Sequence, residues 1–327
     1  MKLDTSFLDN VVNLKNDINL KADFIELACL VNGMLTIDDV IKILYYCGSE
    51  NIDDVSYEDD DAPNILDDDF VQECDKRYNK VYEYFQILTY RQNTIGEFYP
   101  FFVEDNNTIQ IKDELTDKMQ IYFILLLCSN ITFLDLNKEY EWRSNFERLC
   151  KIIMKILIPK FGQAEIFGTS KDSKLFTGNL SKRIIKLAEL LCLTTTKEFD
   201  KSKRIKKIPN GDAGLDIVSW NPIDHAGMFP FSFAQCTCSF DDWRNKQSSI
   251  FTAFWKRYIN FKHDYLKYMF VPFSLHVANG YFDEIVEMSL IIIDRVRIIE
   301  LLRIDGGQYI NEINNLFLWA NISEIVQ

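Results

Sequence analysis

Glycine and proline are scarce in this chain, at 12 and 7 of 327 residues. That scarcity argues against a turn-rich or low-complexity polymer and leans the expectation toward helix. Histidine is scarcer still, with three residues at 225, 263 and 276, and none has the paired spacing of a zinc ligand set. No apolar run is long enough to span a bilayer. The longest, Ile121–Cys128 (IYFILLLC), falls well short of the roughly 18 residues required. The opening MKLDTSFLDNVVNLKNDINLK scatters charges where a signal peptide needs a continuous apolar stretch. The expectation is therefore a cytoplasmic protein with no membrane partner.

What is abundant is apolar material, 47% of residues with 14% aromatic, enough for sizeable cores. A length of 327 residues permits two domains. The eight cysteines read as reduced thiols, since Cys29, Cys47, Cys128, Cys150 and Cys192 lie inside apolar helical patterns where a thiol packs as a small hydrophobe. Cys236 and Cys238 form a C-x-C pair that a strand would place on one face. A zinc site would need two further ligands that the sequence does not pair with them, so strand packing is the reading.

The net charge of -13 is unevenly spread. Residues 1 to 120 carry 10 Lys and Arg against 26 Asp and Glu, whereas Lys151 to Lys207 carries 14 against 5. Such a split suits a nucleic-acid-facing half attached to an acidic module, with Lys203, Arg204, Lys206 and Lys207 as the phosphate-contacting candidates. The competing reading is that these cations are ordinary solvated faces. The expected domains are an acidic, mainly helical residue 1–135 regulatory or interaction domain and a residue 136–327 catalytic domain.

Along the first domain, Phe24, Leu27, Leu30 and Val31 have helical spacing closed by Asn32-Gly33. Thr36 followed by Asp38 and Asp39 predicts the N-cap of a second helix. Residues 53–69, DDVSYEDDDAPNILDDD, read as a solvated acidic loop, and without a glycine they do not fit an EF-hand. A helix is expected from Phe70 to Gln92, then a hairpin over 98–111 (FYPFFVEDNNTIQI) turning at Asp105-Asn106-Asn107. A hairpin beside short helices suggests a winged-helix module, but its charge points to a protein partner. Further helices are expected at Asp117–Ser129, Glu139–Leu157, Asn179–Cys192 with its lysines and arginine outward, 248–261, 281–302 and 308–325.

The informative segment is GDAGLDIVSWNPIDHAGMFPFSFAQCTCSFDDWRNK, residues 211 to 246. Two apolar strand-like runs each carry one polar residue, Asp216 and Gln235, and glycines at 211 and 214 ease the approach to the first. Neighbouring strands lie about 4.8 Å apart, so one residue from each can share a cation. A carboxylate, an amide oxygen and the main-chain carbonyl of Cys236 would suit Mg²⁺, or Mn²⁺.

This Gly-x-Asp strand followed by a glutamine-bearing strand resembles the PD-(D/E)XK nuclease superfamily, and within it the Mrr-like restriction endonucleases. The resemblance implies an α+β or α/β fold, mainly helical, with a restriction-endonuclease-like central sheet in the C-terminal half. It also implies a Mg²⁺-dependent endonuclease cleaving DNA, RNA being the other possible substrate, in a restriction or anti-phage defence role. Asp216 would be the metal aspartate, Gln235 would replace the second acidic ligand, and Glu147 in the FERLC helix, or alternatively Glu165, would complete the site. The pattern departs at Thr237, where a lysine is usual; Lys246, three residues past Trp243, is the candidate replacement. Without it the expectation becomes a non-cleaving nucleic-acid-binding or protein-interaction scaffold. A homo-oligomer is compatible with either reading.

Overall fold

The computed structural model describes residues 7–8, 17–46, 68–134, 136, 138–167, 173–201, 213–247, 252–278, 280 and 290–320. It is a mixed α/β protein with two sheets. The chain divides into two compact units, Met1–Met119 with His276–Phe282 and Asn321–Gln327, and Gln120–Leu275 with Asp283–Ala320. Among the described residues no helix is long and apolar enough to cross a membrane.

In the first unit, α1 (Ile18–Asn32) begins where Asp17 accepts the N–H groups of Asn19 and Leu20, and ends at Gly33, whose φ of 79° only glycine adopts without strain. Strand β1 (Met34–Thr36) follows, then α2 (Ile37–Tyr46). The Thr36 hydroxyl accepts the Asp39 N–H, and the Asp39 carboxylate accepts the Thr36 N–H and hydroxyl, a reciprocal cap. After α3 (Asp68–Ile95), β2 (Phe101–Glu104) and β3 (Thr108–Ile111) form the expected hairpin. Asp105 and Asn106 take left-handed φ values of 45° and 56°, which these residue types tolerate. Strand β1 adds to β3 in antiparallel register, Leu35 opposite Ile109. The order α1-β1-α2-α3-β2-β3, with β3 central, is the connectivity of a winged helix. Its wing tip, Glu104-Asp105-Asn106-Asn107, carries no cation.

This unit also contains a buried charge cluster for which the apolar periodicity gave no warning. Asp23 and Glu26 of α1 are fully buried, and Arg91 of α3 reaches them at 2.8 and 3.0 Å. The Tyr99 hydroxyl donates to Glu26, and Arg91 also donates to Asn19. Buried ionised groups persist only when paired and hydrogen-bonded in this way.

The second unit begins with α4 (Asp117–Ser129) and α5 (Glu139–Leu157). All eight residues of Ile121–Cys128 are at most 1% exposed, so α4 is buried all round, as its lack of a polar stripe requires. Helix α5 buries Trp142, Phe146, Leu149, Cys150 and Ile153 on one face. The sheet has the order β4-β5-β6-β7-β8: β4 (Gln163–Ile166), β5 (Ile217–Trp220) and β6 (Phe231–Cys236) are antiparallel, while β7 (Leu266–Phe270) and β8 (Ile291–Ile293) continue in parallel. Central strands β5 and β6 are buried on both faces and accordingly are mostly apolar, the Ser219 and Ser232 hydroxyls hydrogen-bonding to each other across the pair. Phe167, Leu187, Val218, Trp220, Phe233 and Trp255 form a core with α6 (Leu180–Leu190) and α9 (Thr252–Tyr258).

Several sequence expectations change. Residues 281–302 are not one helix: Ile291–Ile293 is a strand, because its β-branched run pairs with β7, and α10 (Arg295–Ile304) starts only after Asp294 caps the Arg297 N–H. Helix α11 spans only Ile310–Leu316, and α9 stops at Tyr258 because Ile259 bridges to Thr195. Arg183 of α6 is buried, not outward. Strands β1, β4, β7 and β8 and the short α7 (Lys197–Lys201) are additions. The acidic stretch 53–67, the continuation of the C-terminal helix after Ala320, and residues 281–289 lie outside the described residues.

Candidate functional site

The two polar residues that interrupt the apolar runs meet on adjacent central strands. Asp216 precedes β5, yet its backbone is laddered on both sides, its N–H donating to Ala234 at 3.0 Å and its carbonyl accepting the Phe167 N–H at 2.7 Å. The β5–β6 ladder ends with Ile217 opposite Ala234, so Asp216, which bonds the carbonyl of that same Ala234, and Gln235 lie at the adjoining ends of the two strands. Gln235 is buried, and the main chain after it turns its Cys236 N–H onto Asp216 Oδ2 at 2.7 Å. That charge-assisted bond ties the end of β6 to the carboxylate.

Glu147 comes to the same place from α5. Cys150, one turn further along, neighbours the Cys236 thiol. Burial chiefly, followed by the neighbouring Cys150 thiol and the negative charges of Asp216 and Glu147, holds the Cys236 thiol well above its ordinary range. Burial likewise raises Cys150, with both carboxylates adding to the shift. The two carboxylates therefore act on one pair of thiols, and Oε1 of Glu147 is sealed from solvent. Glu165 on β4 is committed elsewhere: it forms an ion pair with Lys151 at 2.8 Å and sits opposite Val218.

The cation arrives from the segment after β6. Thr237 N–H donates to Phe270 and extends the ladder by one residue. The chain then reverses through Ser239, whose hydroxyl accepts the Asp242 N–H, into the single-turn α8 (Trp243–Lys246). Trp243 is fully buried with its ring 6.2 Å from that of Phe273, which anchors this turn. Lys246, at the far end of the turn, points back and donates from Nζ to Thr237 Oγ1 at 3.1 Å.

The structure thus brings together Asp216, Gln235, the Cys236 main chain and Glu147, with Lys246 held on Thr237. Cys150 joins this group without having been singled out from sequence for it, its helical spacing from Glu147 being the available signal; Thr237, noted from sequence only as a departure from the pattern, joins it as the acceptor of Lys246. Among the described residues, no group of three or more His, Cys, Asp or Glu forms a metal-holding cluster. The oxygen donors gathered here are two carboxylates, an amide and a carbonyl. Lys203, Arg204, Lys206 and Lys207 lie outside the described residues. No family model, no curated protein and no solved structure matches the chain.

Proposed function

We propose that the second unit is a Mg²⁺-dependent nuclease acting on DNA, built on a PD-(D/E)XK-like sheet. The observation that carries this reading is the Lys246–Thr237 contact. An ammonium group occupies the neighbourhood of the residue two positions past Gln235, where the resemblance calls for a lysine and the sequence has a threonine. The convergence of Asp216 with Gln235 and of Glu147 with Cys236 supports it, as does the mixed five-stranded order with an antiparallel hairpin at its centre.

In this reading Asp216, Gln235, the Cys236 carbonyl and Glu147 would hold Mg²⁺ or Mn²⁺, a donor set that suits hard cations. Such an ion, when bound, polarises the phosphodiester and lowers the pKa of coordinated water. The chain itself supplies the placement. Asp216 is fixed by the Cys236 N–H, Glu147 by the rigid α5, and Lys246 presents a localised positive charge toward the charge that develops on phosphorus-bound oxygen. The basic segment before β5 would track the backbone of the nucleic acid, and the acidic winged-helix unit would take a protein partner. A restriction or anti-phage role fits this combination.

Purified protein incubated with Mg²⁺ and plasmid or linear DNA is expected to cleave it, and Asp216→Ala is expected to abolish cleavage while leaving the circular dichroism spectrum intact. Equal cleavage by the variant would reject the assignment. Parallel RNA substrates decide the nucleic acid, and salt-sensitive binding without cleavage under any divalent metal would instead support the scaffold reading.

A further inference from the structure

Thr237 is 3% exposed, and its hydroxyl oxygen accepts two hydrogen bonds, from Lys246 Nζ at 3.1 Å and from the Ser239 N–H at 3.2 Å. A hydroxyl has two acceptor positions and one donor. With both acceptors used, only the O–H hydrogen remains, and the described residues give it no acceptor. A threonine buried purely for packing would not need this arrangement, since valine fills the same volume.

A lysine side chain at the end of a single helical turn is rich in rotamer freedom. Left alone, Lys246 would sample solvent. Its ammonium is instead held on Thr237, the residue that extends the β6 ladder through its N–H to Phe270. The bond from the Ser239 N–H fixes the Thr237 rotamer, so the oxygen that receives the ammonium is itself immobilised.

We infer that Thr237 is the positioning residue of this site: its hydroxyl sets the ammonium of Lys246 beside the Asp216–Gln235 pair and directs its remaining hydrogen toward the phosphodiester or the attacking water. The inference rests on the nuclease reading and adds to it a reason for the threonine. The sequence does not simply lack the strand lysine; it has exchanged that side chain for a cradle that receives a lysine from the following turn.

The test is steady-state DNA cleavage with Mg²⁺ by the full chain and by Thr237→Val, Thr237→Ser, Lys246→Ala and the Thr237→Val/Lys246→Ala double variant. The expected result is a kcat lowered on the order of tenfold or more in Thr237→Val, with KM within about twofold, as for removal of a group that acts at the transition state. Thr237→Ser, which keeps the hydroxyl, is expected to retain most of the rate. The double variant is expected to be no slower than Lys246→Ala alone, because both changes remove one device. Wild-type rates in Thr237→Val, equal losses in the Val and Ser variants, or additive losses in the double variant overturn the inference while leaving the nuclease reading standing. A wild-type chain inert toward DNA and RNA overturns both.

Discussion

Replacing Arg91 with methionine would leave Asp23 and Glu26 buried without the guanidinium that lies 2.8 and 3.0 Å from them. Methionine approximates the aliphatic length of arginine, so the packing loss is small and the effect is electrostatic. Removing one partner from a buried ionic cluster costs about 3–5 kcal/mol, since the remaining charge has neither water nor a counter-ion. Tyr99 continues to donate to Glu26, which puts the expectation nearer the lower figure. For a domain of this size the loss corresponds to a fall in melting temperature of roughly 10–20 °C. The assay is thermal and urea unfolding followed by circular dichroism, with peptide-resolved hydrogen exchange over residues 18–32 and 68–95 to locate the change. Tryptophan fluorescence adds a contrast, because all five tryptophans (142, 220, 243, 255 and 319) belong to the second unit. A triple variant with Asp23→Leu and Glu26→Leu is expected to recover much of the stability, as the desolvation cost disappears together with the attraction. An Arg91→Met protein within 1 kcal/mol of wild type would refute the argument.

Lys246→Ala is expected to slow DNA cleavage on the order of 100-fold, the scale on which losing one preorganised electrostatic group is felt. Thr237→Lys in that background is expected to restore a measurable part of the rate, and undiminished cleavage by Lys246→Ala would remove the lysine from the site. Thr36→Ala, which opens the reciprocal cap of α2, is expected to cost about 1 kcal/mol in urea unfolding at neutral pH. The same cap has a pH signature. Hydrogen bonds from the Thr36 hydroxyl and N–H hold Asp39 below its ordinary 3.8, so the stabilisation is present above that value and is lost as pH falls through the lower folded-state pKa. The gap between wild type and Thr36→Ala should therefore close in strong acid, and a gap that widens there would show the cap to be misassigned.

Local pattern was enough for much of the secondary structure. Helices α4 and α5 occupy the ranges their apolar spacing indicated, and the hairpin turns where Asp105 and Asn106 can adopt positive φ. Asp216 and Gln235 were legible because a polar residue inside an apolar run is costly unless something uses it. The parallel pairing of β6 with β7 and of β7 with β8 was not legible, because Leu266–Phe270 and Ile291–Ile293 acquire strand identity only from partners more than 20 residues away. For the same reason Ile291–Ile293 looked continuous with the helix after it. The burial of Asp23 and Glu26 was hidden too, since their neutralising cation lies in another helix.

By itself, then, the sequence determined the acidic and basic halves, the helix termini at Thr36 and Gly33, and the apolar strands with one polar residue each. These are properties of charge, backbone conformation and residue spacing, all of which act over a few positions. Tertiary structure alone decided that Glu147 and Cys150 of α5 approach the end of β6, and that Lys246 folds back onto Thr237. Both depend on which faces are buried together, on the anchoring of Trp243 and on the register between strands. Those are long-range choices that are made when the core closes.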